Sequence, residues 1–106
     1  MTTRRVLTTR RADEDIEAAL ETYLTSSSED VALAFIDAVE AAQQLMAEFP
    51  QLGSARLAAE VGIPALRSIA LRQFPYLVFS TEDPDAVRIH RMLHSSRDIP
   101  ATLRDG

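Results

Sequence analysis

Apolar residues recur along this chain in two rhythms, and the change of rhythm divides it into elements. Residues 4–9 open with a short β-rich stretch around Val6 and Leu7, which predicts an edge strand. From about Ala12 the spacing becomes helical. Ile16, Ala19, Leu20, Tyr23 and Leu24 fall at i, i+3, i+4, i+7 and i+8, on one face. Acids crowd the first turn, where they favour the helix dipole, and either Thr9 or Asp13 serves as the cap. Residues 25–28, Thr-Ser-Ser-Ser, end that helix, and one of the serines starts the next. Val31, Ala34, Phe35, Ala38, Val39, Ala42, Leu45, Met46 and Phe49 then repeat at helical spacing, with Leu33 and Ile36 widening the stripe. Pro50 and Gly53 end it. Residues 51–64 read as an irregular connection. Beyond it the period falls to two. Residues 66–72, 76–81 and 86–94 predict three strands, separated by Gln73-Phe74-Pro75 and Glu82-Asp83-Pro84-Asp85. In the last strand Val87, Ile89, Arg91 and Leu93 share one parity, and Arg88, His90, Met92 and His94 the other.

The order is β-α-α-β-β-β, an α+β fold with a helical hairpin packed on a small, mostly antiparallel sheet. Six elements leave no helix for the second sheet face. That face is expected to be open to solvent or to a partner.

Composition sharpens this picture. With 106 residues the chain is one domain, 1–106, and 46% apolar and 25% charged residues suit a globular fold. There is no cysteine, so disulfides, thiolate metal sites and cysteine nucleophiles are excluded. The apolar runs are too short to span a membrane, and Met1-Thr2-Thr3-Arg4-Arg5-Val6-Leu7 turns polar too soon for a signal peptide. A cytoplasmic protein is expected. The net charge of −5 argues against broad capture of nucleic acid or anionic lipid. It is unevenly spread. Residues 1–53 hold four arginines and ten acids, and residues 54–106 hold seven arginines and six acids, so the molecule should have an acidic helical side and an arginine-bearing sheet. All 11 basic residues are arginine.

The ordered motifs resemble the ParE toxins of bacterial toxin–antitoxin pairs, within the wider RelE/ParE superfamily. They are Ala12-x-x-Asp15-Ile16 with Tyr23-Leu24, Ala34-Phe35-Ile36, Pro50-x-x-Gly53, Leu66-Arg67 and Phe74-Pro75-Tyr76-Leu77-Val78-Phe79. The clearest is Ile89-x-Arg91-Met92-Leu93-His94-x-x-Arg97-Asp98. The resemblance implies a toxin that inhibits DNA gyrase, is neutralised by a ParD-like antitoxin, and meets operator DNA only through that antitoxin. No cofactor, metal ion or catalytic residue is expected. The alternatives are a RelE-like ribosome-dependent mRNA endonuclease and a non-toxic member that only binds antitoxin.

Residue chemistry bears on that choice. RNA cleavage needs proton-transfer groups and cations on the phosphate, and RelE-type nucleases cluster Lys, Arg, His or Tyr for it. Here lysine is absent, and His90 and His94 lie roughly 13 Å apart along a strand, too far to share a phosphate or a metal ion. Arg67, Arg72, Arg88 and Arg91 are expected to gather on the sheet as anchors for an acidic antitoxin segment or for gyrase. For Arg91 an ion pair with Asp37 or Glu40 is the structural alternative. His94 and Arg97 are target contacts, or else His94 orders the turn while Arg97 and Asp98 brace the tail by an ion pair or a cap. Leu20, Tyr23 and Leu24 are core, or face an antitoxin helix. Arg4, Arg5, Arg10 and Arg11 are expected to be plain surface charges.

Overall fold

Thr9 decides where the first helix begins. In the computed structural model, which describes residues 4–105, its side chain accepts the Ala12 N–H at 3.1 Å and caps α1 (Arg10–Ser26). Asp13 is therefore inside the first turn, held by the Thr8 hydroxyl at 2.6 Å. Ser28 caps α2 (Glu29–Glu48) by accepting the Val31 N–H at 3.1 Å. Only Ser27 and Ser28 separate the helices. Met1-Thr2-Thr3, on which part of the leader argument rests, lie outside the described residues.

The strands are β1 (Arg5–Thr8), β2 (Arg67–Ala70), β3 (Tyr76–Glu82) and β4 (Ala86–His94), with two short helices, α3 (Ala58–Val61) and α4 (Ile99–Asp105). They form one sheet in the order β1-β4-β3-β2. β1 is an edge strand, as its sequence suggested, and runs parallel to β4 from Arg5↔Ala86 to Thr8↔Ile89. The three later strands form the expected antiparallel meander.

Two expectations fail, for physical reasons. First, β4 does not keep strict parity. Phe79 pairs with Arg91 but Ser80 pairs with Ile89, so His90 is an extra residue at a bulge. Val87 and Ile89 therefore join Met92 and Val78 beneath the hairpin, packed on Phe35, Val39 and Met46. Leu93 and Phe79 face the other way. Second, that other face is covered. Leu66, Phe79, Leu93, Ile99 and Leu103 form a second core, with Leu57, Val61 and Ile63 against it. The connection read as irregular contributes α3, and the tail contributes α4. Four-residue and seven-residue helices are too short to announce themselves by periodicity.

The connection is also tied to the sheet. Ser54 and Ser68 exchange backbone hydrogen bonds of 2.9 and 3.0 Å, and Gly53 suits the position before them on two counts: its φ is +104, and a Cβ there would lie 2.5 Å from the Ser68 carbonyl.

Candidate functional site

The central polar feature lies where β1 stops and β4 continues. β4 runs on to His94, and α1 takes over the edge that β1 vacates. Thr9 N–H donates to the Ile89 carbonyl at 3.0 Å, and the Thr9 hydroxyl donates to the His90 carbonyl at 2.9 Å. Asp15 then does two things. Its Oδ2 accepts the Met92 backbone N–H at 3.0 Å, replacing a ladder partner. Its two oxygens also take Arg91 bidentately, Nε at 2.7 Å and Nη2 at 3.0 Å. Arg91 is 7% exposed and its Nη1 is buried with no partner among the described residues. Donating to the Asp15 carboxylate holds the Arg91 guanidinium pKa above its ordinary value, against the opposing pull of burial.

Arg91 is thus a sheet-to-helix brace, and its partner is Asp15 rather than Asp37 or Glu40. The signal for this was present in the sequence. Asp15 lies three residues after Ala12 and four before Ala19, both buried, so a carboxylate sits on the buried stripe of α1.

The other arginines end in different places. Arg88 pairs with Asp83 within the β3–β4 turn, at 3.1 Å from Nε and 2.9 Å from Nη2. Arg67 reaches the Gly53 carbonyl at 3.5 Å. Arg72 is exposed beside a groove of about 280 Å³ walled by Ala34, Asp37, Ala38 and Ala41. Arg4 and Arg5 are not idle surface charges. Arg4 pairs with Glu82 at 2.7 Å and Arg5 with Asp85 at 3.2 Å, clamping the start of the chain to the β3–β4 turn.

His90 and His94 are separated by the bulge. His90 is half-buried, its Nε2 2.7 Å from the Thr81 hydroxyl. Burial lowers its pKa, helped by Arg88 and opposed by Asp83. His94 stands at the end of β4, edge-on to Tyr76 with ring centres 5.2 Å apart. Its Nδ1 accepts the Ser96 backbone N–H at 3.0 Å, with Ser96 Oγ 2.7 Å away, so it orders the turn. Asp98 caps α4 by accepting the Ala101 N–H at 3.3 Å, and Arg97 makes no ion pair among the described residues.

A cleft of about 210 Å³ opens between α1 and this end of β4. Asp15, Ala18, Ala19 and Thr22 line one side; Tyr76, Met92, Leu93, His94 and Arg97 line the other. Of the apolar candidates, Tyr23 belongs to an aromatic cluster, 5.3 Å from Phe35 and 5.2 Å from Phe74. Burial, and then Tyr76 beside it, raise its pKa. Leu20 packs against the same core, whereas Leu24 is 53% exposed.

A family model described as "ParE toxin of type II toxin-antitoxin system, parDE" matches residues 6–99. The chain belongs to the ParE toxin family. The match spans every element from β1 to the start of α4, including Asp15, Arg91, His94 and Arg97. Among solved structures the fold is similar to a chain described as "Chromosomal ParDE TA system from P. aeruginosa". The TM-score is 0.71 at 17% identity, covering 87% of this chain and 96% of that one. No curated protein matches the sequence. ParE membership fixes the frame for the geometry above: a toxin of a type II toxin–antitoxin system, α+β, with the hairpin on a four-stranded mixed sheet.

Proposed function

We propose that this ParE-family toxin acts by binding DNA gyrase, without catalysing a reaction of its own, and that a ParD-like antitoxin neutralises it. The observation that carries the reading is the family match over residues 6–99. The placement of the polar residues supports it. Three of the groups a nuclease could use on a phosphate are engaged within the fold: Arg91 by Asp15, Arg88 by Asp83, and His90 beside Thr81. Leu24, Leu33, Leu45 and Phe49 are exposed on the hairpin, and surface of that kind suits an antitoxin segment laid across it. Arg67, Arg72 and Arg97 are the charged candidates for partner contact. Arg88, Leu20 and Tyr23 can contribute only through their exposed portions. Operator DNA would be reached through the antitoxin, in keeping with a toxin of net charge −5.

One observation favours the second reading, a ribosome-dependent mRNA endonuclease. Tyr76, His94 and Arg97 line one cleft, which places a proton donor, an imidazole and a cation together. Purified toxin incubated with mRNA-programmed ribosomes decides between them. Intact mRNA is expected, and defined cleavage products overturn the non-enzymatic reading.

A further inference from the structure

The cleft beside β4 carries chemistry that the brace and the core leave unused, and what it would bind deepens the partner role proposed for Arg97. Its two sides differ in electrostatic state. On the α1 side the Asp15 carboxylate is already neutralised by Arg91 and also accepts the Met92 N–H, so it does not act as a bare negative charge. On the β4 side stand two donors. Arg97 is exposed and unpaired among the described residues. His94 has its tautomer set by its neighbour: a backbone N–H can only donate, so the Ser96 N–H on Nδ1 puts the neutral ring's proton on Nε2. The opposing α1 wall is built from Ala18, Ala19 and Thr22, small side chains that leave about 210 Å³ open.

We propose that this cleft binds a single carboxylate, the side chain of one aspartate or glutamate on a peptide, through the Arg97 guanidinium and the His94 Nε2–H. An arginine fork matches the planar geometry of a carboxylate, and a fixed N–H donor beside it adds direction. A carboxylate is preferred over the phosphates of a nucleic acid because the molecule carries net charge −5, which repels a polyanion but tolerates one acidic side chain. The proposal does not depend on gyrase being the target. The two fail separately, since the site is read by ligand binding and the target by supercoiling.

The test is a titration of the full-length 15N-labelled chain, followed by NMR at constant ionic strength, with N-acetylglutamate amide and, as neutral control, N-acetylglutamine amide. The charged probe should give saturable shifts at Thr22, Ser96 and Arg97, and the neutral probe should give none. Arg97→Gln should weaken binding by about tenfold or more, and His94→Gln should weaken it too, because hydrogen bonds to charged groups are the strong ones. Arg104→Gln, an exposed arginine on α4, should leave binding unchanged. The proposal is overturned if the charged probe causes no saturable shift, if the two probes act alike, or if Arg97→Gln binds as well as the parent. Inorganic phosphate binding more tightly than the glutamate probe would overturn the carboxylate assignment.

Discussion

Asp15 is the residue on which the site turns. One carboxylate satisfies a strand-edge N–H and neutralises a buried guanidinium, so its removal leaves both unpaired. Asp15→Ala should lower unfolding stability by roughly 3–5 kcal/mol, the usual result of breaking a buried pair from one side. Replacing both partners, Asp15→Leu with Arg91→Met, should recover most of that loss, although the Met92 N–H stays unpaired. Urea unfolding of the two variants checks this, and a double variant as unstable as the single would contradict it. His90 supplies a pH prediction. Its folded pKa lies below the ordinary 6.5, so the unfolded chain takes up the proton first. Stability is therefore complete above 6.5 and falls as pH drops through that value toward the folded pKa. His90→Gln should flatten the part of the curve between those two pKa values, as measured by denaturant midpoints across the range. The residue types of the cleft were legible in the sequence, since His94 and Arg97 stand out in their motif. The pairing was not. Arg91 and Asp15 are 76 residues apart, and a separation of that kind can be found only by noticing a carboxylate on an apolar helix face.

At the scale of elements, periodicity predicted what is long and missed what is short. α1, α2 and the three later strands carry enough repeats to be read. α3 and α4 do not, and they reverse the expectation of an open sheet face. Leu103, 7% exposed in that second core, tests how much this cover matters. Leu103→Ala should lower stability by about 2–5 kcal/mol. A loss of a few tenths, as at a surface position, would mean that α4 is only loosely docked. The bulge at His90 was equally invisible, because a one-residue insertion leaves no trace in composition. It lets Val87 and Ile89 face the hairpin core while Leu93 faces the other, and it separates the two histidines. At Gly53, Gly53→Ala should destabilise by about 1–3 kcal/mol, since a Cβ meets both the Ser68 carbonyl and an unfavourable positive φ. A neutral outcome in thermal unfolding would show that the connection shifts away from β2 at no cost.

Across the whole molecule, the sequence reading of an acidic hairpin beside an arginine-bearing sheet needs restating. Of the four arginines expected to gather on the sheet, Arg88 and Arg91 are taken up internally, by Asp83 and Asp15, and Arg4 and Arg5 pair with Glu82 and Asp85. Arg67, Arg72 and Arg97 make no ion pair among the described residues, and with the exposed apolar residues of the hairpin they are the candidates for partner contact. That distribution suits a protein that works by being bound. A binding inhibitor and an enzyme differ in the dose they need. Purified toxin should be titrated into a DNA gyrase supercoiling assay at a fixed, known gyrase concentration. Supercoiling should fall in proportion to the toxin-to-gyrase ratio and be lost near saturation. Undiminished supercoiling at a large excess of folded toxin, or complete loss at a small fraction of the gyrase concentration, would contradict it.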